Sequence, residues 1–404
     1  MSEKKSLLFV TTELPWPSDS GGRIKSFRLA QYLSAHFDLN LVCAHGPKDG
    51  KTLTAFREAS GVKSVQVFSS FRKRSVYNWF LAIMQFPTFN SFRVYSKRLE
   101  SMLKWGIQKS DIVIIDHLEM FEMIDVKMFP KVIYHSHNAE FKLWSDYAKI
   151  SVNPVKKWLL EWEADRVKQF EKWVIKKSRF TFMAPNDSAL IKENSDIASD
   201  KFKLTYHLGN DDLLKQPTAD IRHSKKQLFY AGTLSWMPNS DGLKWFLLEC
   251  WPAILKTHSD AQVIICGKGA DDKLTDILLN TKGVVYKGFV DNVTPIMDQC
   301  RCAIIPLRFG SGMKIKTFDA VYKGLPAVST SIGAEGIDVE NGKHILIADD
   351  SKTFANHVNL LLEDPNLSES LALNARNLAQ NKYTYEELFG SMLKEINLSQ
   401  EIQP

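Results

Sequence analysis

Cysteine is scarce in this chain, with five among 404 residues, and the number is odd. Three of Cys43, Cys250, Cys266, Cys300 and Cys302 sit in apolar, strand-like runs, which argues against a disulfide framework and for reduced core thiols in a reducing compartment. No run of about 18 apolar residues exists, so no membrane-spanning helix is expected. The opening Met1–Lys5 is polar, and the apolar Leu7–Val10 is too short for a signal-peptide core, so a cytoplasmic protein is expected. The G-x-G-x-x-G fingerprint of dinucleotide sites is missing, which argues against a dehydrogenase. An Asp-x-Asp triplet that would hold a metal is missing too. Acidic side chains are nearly absent from one region: residues 51–109 carry only Glu58 and Glu100 against eleven Lys and Arg.

What is present is the composition of a large soluble protein, 44% hydrophobic and 24% charged, long enough for two or three cores. The formal net charge of +6 is unevenly placed, with a net of +10 over residues 1–205 and −4 over 206–404. An anionic partner for one half only is expected. Short apolar runs recur through the chain: Leu7–Thr12, Leu39–Ala44, Val65–Phe68, Ile112–Ile115, Val132–His135 and Phe180–Ala184, then Leu228–Ala231, Ala261–Cys266, Val284–Tyr286, Cys302–Ile305, Ala327–Thr330 and His344–Ile347. Several are separated by helix-like or polar stretches of a dozen residues or more. Helices are expected over Ile24–Leu33, Ser240–Leu255, Asp271–Leu279, Lys314–Tyr322, Thr353–Leu362, Ser368–Gln380 and Tyr385–Ile396. This alternation predicts an α/β fold of two doubly wound, Rossmann-like parallel-sheet domains with ligands bound at the strands' carboxyl ends. The polar, Pro217-broken Lys215–Gln227 reads as the connection between them.

The chemistry-bearing stretches lie at strand ends. After Ile305 the chain turns through Gly310-Ser311-Gly312 into a helix, leaving backbone N–H groups aimed at one spot, an anion site. Lys314 and Lys316 add positive charge there, and Asp319 lies on about the same helix face as Lys316. The plainer reading is an ordinary helix–strand unit with solvated lysines. Gly21-Gly22, after the first strand, allows close backbone approach to a phosphate, although a Gly-Gly pair is also common in surface loops. His135 and His137 share one side of a strand, but no third ligand at metal spacing is visible, so no metal is expected. The stretch Phe71–Phe92 couples Arg72, Lys73 and Arg74 to Trp79 and Phe80. It reads either as a core helix or as an interfacial segment on an anionic membrane. Nucleic acid is the weaker partner for that charge, because no binding motif accompanies it.

Arg-Phe-Gly-Ser-Gly-Met-Lys-Ile-Lys-Thr-Phe-Asp-Ala (308–320), Gly-Leu-Pro-Ala-Val-Ser-Thr (324–330) and Gly-Ala-Glu-Gly (333–336) resemble the donor-site signature of the retaining glycosyltransferases of family 4. That family has the GT-B fold. The family's two glutamates, separated by seven residues, fall here on Ser311 and Asp319, and a Gly-Ser-Gly subgroup also lacks the first. The resemblance implies an N-terminal acceptor domain over residues 1–210, a nucleotide-sugar donor domain over 211–380, a cleft between them, and a helix over 381–404 returning to the first domain. It places Gly312, Lys316 and Lys314 at the donor diphosphate, Asp319 on the ribose, Phe289 and Val290 beside the base, and Gly21, Gly22, Gly232 and Ser311 around the donor. His137, in His-Asn-Ala-Glu, is implied to contact the transferred sugar, and His137 and Lys316 are the candidate catalytic residues. The implied activity moves a sugar from a UDP- or GDP-linked donor, a substrate and not a cofactor, to a glycan or lipid-linked acceptor with retention. Peripheral attachment to the inner face of a membrane is expected with it. The alternatives are a GT-B sugar-nucleotide epimerase, an inverting transferase, or a non-catalytic nucleotide-sugar or membrane-surface binding protein.

Overall fold

The structure is a computed structural model and describes residues 4–73, 75–149, 151–193, 195–206, 211–310 and 313–401. The chain divides into two compact units, Met1–Tyr206 with Phe389–Pro404, and His207–Leu388.

Unit 1 contains β1 (Ser6–Glu13), β2 (Asp38–His45), β3 (Ser64–Val67), β4 (Ile112–Ile115), β5 (Val132–His135), β6 (Phe180–Met183) and β7 (Phe202–Leu204). Its helices are α1 (Gly21–His36), α2 (Gly50–Ser60), α3 (Val76–Gln85), α4 (Phe89–Val94), α5 (Lys97–Lys109), α6 (Glu140–Lys149), α7 (Pro154–Lys177) and α8 (Pro185–Glu193). The strands form one parallel sheet in the order β3-β2-β1-β4-β5-β6-β7. β4 (IVII), β5 (VIYH) and β6 (FTFM) are buried at every position, as strands covered on both faces must be.

Unit 2 contains α9 (Asp211–Leu214), β8 (Lys225–Ala231), α10 (Met237–Trp245), α11 (Trp251–Thr257), β9 (Gln262–Cys266), α12 (Asp272–Asn280), β10 (Val284–Gly288), α13 (Thr294–Met297) and β11 (Cys300–Ile305). There follow α14 (Ile315–Lys323), β12 (Ala327–Ser329), α15 (Ser331–Ala334), β13 (Leu346–Ile347), α16 (Ser351–Glu363) and α17 (Pro365–Lys382). The sheet is again parallel, in the order β10-β9-β8-β11-β12-β13. In both units the strand order reverses beside the first strand, between β1 and β4 and between β8 and β11. Open parallel sheets bind ligands at such switch points.

Three local findings depart from the sequence expectations. The single helix expected over Ser240–Leu255 is interrupted: α10 passes into a π-helical turn, Phe246–Cys250, before α11 starts. Pro252 supplies the reason, because it has no N–H to continue the α ladder and its ring would clash with the preceding turn. β7 was not expected, its three residues being too few to show alternation. The stretch Lys215–Gln227 lies inside unit 2, whose boundary falls at Tyr206/His207, and its last three residues begin β8. Arg376 of α17 anchors the start of this stretch by donating to the carbonyls of Leu214 and Gln216. α18 (Tyr385–Glu401) carries the chain back into unit 1 from Phe389, whose ring packs 4.9 Å from Tyr32. Farther along that helix Glu395 pairs with Lys203 at 2.9 Å.

The loop after β11 is held in place by a glycine. Gly242 of α10 lies so close to the chain that a β-carbon there would sit 2.1 Å from the Pro306 carbonyl oxygen. Helix propensity alone favours alanine over glycine by about 1 kcal/mol. Here the backbone clash outweighs it, so Gly242→Ala is expected to destabilise unit 2 by about 2–3 kcal/mol, read as a lower urea midpoint. A raised midpoint would show that α10 does not approach Pro306 as described.

Candidate functional site

In unit 1 the polar groups gather where β1, β4 and β5 end. β4 runs out into Asp116-His117, β5 into Ser136-His137, and α1, starting at Gly21, turns Lys25 and Ser26 inward. Asp116 has no exposed surface. Its Oδ1 lies 2.5 Å from His135 Nδ1 and 3.1 Å from His137 Nε2, and its Oδ2 accepts a 2.5 Å hydrogen bond from Ser26 Oγ. His117 Nδ1 stands 3.5 Å from Oδ2, and its ring stacks on His137 with centroids 4.4 Å apart. Lys25, 3% exposed, donates to the Ser136 carbonyl at 3.1 Å and reaches the His137 carbonyl at 3.5 Å.

Burial alone would raise the Asp116 carboxyl, but the surrounding imidazoles His137, His117 and His135 hold it well below the usual carboxylate range. Burial drives His137 down to about 4 despite the pull of Asp116, and Lys25 adds to the fall. Burial likewise lowers His135 and His117. Lys25 itself is lowered to about 8 by burial, against the attraction of Asp116, Asp187 and Glu140. At neutral pH this is a carboxylate ringed by neutral imidazoles.

The ligand atoms of Asp116, His135 and His137 lie within 4.8 Å of one another, a spacing that would admit a metal ion. The sequence shows no third group near the two histidines, whereas the fold supplies Asp116 from a different strand. Hydrogen bonds from His135 and Ser26 already engage the two Asp116 oxygens, one each. The Gly21–Gly22 turn borders this cluster, since a β-carbon on Gly22 would come within 3.9 Å of His137 Nδ1. Arg23 is turned aside into ion pairs with Glu13 (2.8 Å) and Asp19 (3.1 Å).

In unit 2 the groups gather where β8 and β11 end. α14 opens at Lys314 and closes on Gly324, whose φ of 64° ends the helix in the left-handed region. Lys316 Nζ donates to Asn239 Oδ1 at 2.6 Å and to the Tyr230 hydroxyl at 3.2 Å, and lies 4.5 Å over the Tyr230 ring. Gly232 is the floor of this corner, for a β-carbon there would meet Asn239 Nδ2 at 2.9 Å and Lys316 Nζ at 3.0 Å. Burial and the neighbouring Lys314 lower the Lys316 ammonium to about 7. Lys314 itself is 4% exposed and pairs with Glu335 at 3.7 Å, so its charge is partly neutralised within the protein. Asp319 is half-buried on α14. Phe289, 51% exposed just past β10, has Lys268 Nζ 5.0 Å over its ring, and Val290 beside it is half-buried. Ser311, Gly312 and Arg74 lie outside the described residues.

The aromatic, basic stretch divides. Phe80 is exposed, but Trp79 packs inward, 6.3 Å from Phe89 and 6.1 Å from Trp162. Arg72 lies 4.5 Å over the Phe92 ring and donates to the Phe92 carbonyl, so it serves the core, whereas Lys73 is exposed. Sequence reasoning passed over Asp116, Ser26, Tyr230, Asn239 and Glu335. Asp116 had a usable signal, a carboxylate immediately after the all-apolar run of β4. Asn239 had none, because only the return of α10 beneath α14 brings it to Lys316.

Residues 225–364 match the model of the family described as Glycosyl transferases group 1. A protein of Klebsiella pneumoniae, described as an uncharacterized 44.6 kDa protein in the cps region, is 22% identical over 96% of this chain and 99% of its own length. Among solved structures, Anabaena HepE in complex with UDP and glucose superposes with a TM-score of 0.69 at 13% identity, covering 98% of this chain and all of that one. Sucrose-phosphate synthase from Thermosynechococcus elongatus superposes with a TM-score of 0.72 at 12% identity and the same coverage. The fold is therefore the GT-B fold, two Rossmann-like parallel-sheet domains, and residues 225–364 match the group 1 glycosyltransferase model.

The Lys316 corner makes a titration prediction. By NMR of the lysine side chain, Lys316 should titrate with a midpoint of about 7, and Lys314→Gln should raise that midpoint by removing the neighbouring cation. Its folded pKa lies below the unfolded value, so the unfolded chain holds the proton more tightly. This group's contribution to stability should therefore rise with pH from about 7 upward. A midpoint near that of a solvated lysine would show that Lys316 points away from Tyr230 and Asn239.

Proposed function

We propose that the chain transfers a sugar from a UDP- or GDP-linked donor to a lipid-linked or polysaccharide acceptor, with retention at the anomeric carbon. The observation that carries the reading is the Lys316 corner, a cation seated on Tyr230 and Asn239 at the switch point of the sheet within the group 1 domain. An ammonium lowered to about 7 by burial is a poorly solvated charge. A donor diphosphate is the kind of ligand that would restore its proton. In the transfer itself the developing charge sits on the leaving diphosphate, and a cation held in place before reaction stabilises it without reorganisation. On this reading Asp319 holds the nucleotide ribose, Phe289 flanks the base, and His137 meets the transferred sugar. In a same-face transfer the leaving diphosphate takes the acceptor proton, so His137 need not act as a base.

The acceptor side of the proposal rests on α3 and the start of α7. Tyr77, Phe80 and Met84, spaced three and four residues apart, are 71%, 61% and 68% exposed on one face of α3. Val152, Val155 and Trp158 are 99%, 65% and 62% exposed around the start of α7, which the Trp79–Trp162 contact joins to α3. Lys73, Lys156 and Lys157 are exposed among them. No acidic residue occurs between Glu58 and Glu100 or between Asp146 and Glu161. Exposed rings and methyls with lysines and no acids fit the headgroup level of an anionic leaflet. Among the described residues no helix is long and apolar enough to cross a membrane.

Two outcomes test these assignments. In calorimetry, one of the diphosphates of uridine and guanosine should bind, and its affinity should fall as pH rises above about 7, where free Lys316 loses its proton. Lys316→Ala should cost roughly 2–5 kcal/mol of that binding or of transition-state stabilisation. Turnover within a few-fold of wild type in Lys316→Ala would remove this site from the reaction. In vesicle sedimentation, Tyr77→Ser with Phe80→Ser should weaken binding to anionic vesicles even at low salt. Lys73→Ser with Lys156→Ser should abolish the salt-sensitive part. Equal partitioning onto neutral and anionic vesicles, or onto neither, would leave a soluble acceptor as the better choice.

A further inference from the structure

Glu335, just past α15, carries a buried acceptor that the fold leaves without a donor. Its Oε2 is shut off from solvent and, among the described residues, no group donates a hydrogen bond to it, although the side chain as a whole is 20% exposed. The neighbouring cation, Lys314 Nζ, stands 3.7 Å away, beyond hydrogen-bonding distance. The oxygen therefore bears its desolvation cost with only charge attraction in return, and a donor from a ligand would relieve it.

The backbone on either side holds this carboxylate in place. Thr317 Oγ1 of α14 donates to the Gly333 carbonyl at 2.7 Å. Thr330 Oγ1 donates to the Leu307 carbonyl and accepts from Gly333 N at 3.0 Å. At Gly336 φ is 80° and a β-carbon would lie 2.4 Å from Met313 Cγ, so the residue after Glu335 is pressed onto the residue before Lys314. Lys314 is 4% exposed, so salt screens its attraction for Glu335 only weakly.

The order of charges along α14 then matters. Glu335 stands beside Lys314 at the helix start, Lys316 follows, and Asp319 lies three residues farther on. Between Asp298 and Asp338 the chain has no other carboxylate. A nucleotide sugar has a matching pattern, a diphosphate with a hydroxyl-bearing ring at each end. With the diphosphate on Lys316 and the ribose on Asp319, the sugar end falls to Glu335. We infer that Glu335, braced by Lys314, is a specificity-determining contact that accepts hydrogen bonds from the hydroxyls of the donor's sugar. A carboxylate can only accept, which a sugar hydroxyl answers by donating and an ionised phosphate cannot.

The inference rests on the glycosyltransferase reading for its ligand. Calorimetry on wild type, Glu335→Ala and Glu335→Gln compares UDP and GDP with UDP-glucose, UDP-N-acetylglucosamine and GDP-mannose. The sugar nucleotide that wild type binds most tightly is the one followed. Glu335→Ala should weaken it by about tenfold to a hundredfold, the range for a hydrogen bond to a charged group. The matching diphosphate should change by less than about threefold. Glu335→Gln keeps the shape and one acceptor oxygen, so it should recover part of the loss, and it decides the matter if the alanine variant does not fold. Equal weakening of diphosphate and sugar nucleotide would reduce Glu335 to a brace for Lys314, and unchanged affinity for both would leave it no part in the site; either result overturns the inference. Loss of both ligands in Lys316→Ala beside wild-type binding in Glu335→Ala would keep the donor site and remove only Glu335 from it. Failure of wild type to bind any of the three sugar nucleotides overturns the inference, and failure to bind either diphosphate overturns the glycosyltransferase reading with it.

Discussion

Parallel strands covered by helices on both faces have no solvated side, and this constraint organises both units. Every side chain along β4, β5 and β6 is buried. Polar chemistry is pushed to the positions just past the strands' carboxyl ends, and the switch in strand order opens a gap there that no crossover helix fills. Asp116, His117, His137, Gly232 and the Pro306–Gly310 loop all occupy such positions. The two units solve the same geometric problem with different chemistry. Unit 1 places a carboxylate among imidazoles, and unit 2 places a lysine on a phenol and a carboxamide.

Burial makes both clusters exacting. A carboxylate without solvent must be met by donors from its own fold, and Asp116 draws them from α1 and β5 at once. Removing any one partner leaves a costly group behind, so the cluster also pins α1 to the sheet. Lys316 is the converse case, a cation whose acceptors are two neutral groups and whose charge is thereby left only partly compensated. Strong compensation would stabilise the unliganded unit but leave little for an anion to gain. The neighbouring Lys314 shows the other solution, an ion pair with Glu335 that uses up its charge inside the protein.

The exposed aromatic face of unit 1 follows from a division within α3. Ala82 and Trp79 turn to the small core of Phe89 and Phe92, while Tyr77, Phe80 and Met84 turn outward. Composition alone could not separate these sets, because both faces of the helix are apolar. Of the two readings left open for Phe71–Phe92, the core helix holds for the face that carries Trp79 and Ala82, and the other face is exposed.

The sequence by itself determined the class of fold. Most of the strands were legible as short apolar runs, and the helix from Lys314 to its glycine stop was legible from turn and cap residues, because these signals are local. It also marked the strand ends where Gly21, Gly22, His137, Gly232 and Lys316 sit. Only the tertiary structure decided what those residues touch. Asp116 and His137 are 21 positions apart and meet because β4 and β5 are neighbours in register; Asn239 and Lys316 are 77 apart and meet because β8 and β11 are. It decided as well that Lys25 faces inward and that Trp79 and Phe80 part company, since the direction of a side chain depends on what packs against its element. Periodicity and turn chemistry are written in neighbouring residues, whereas a carboxylate's donors and a lysine's acceptors come from wherever the sheet order brings the chain back.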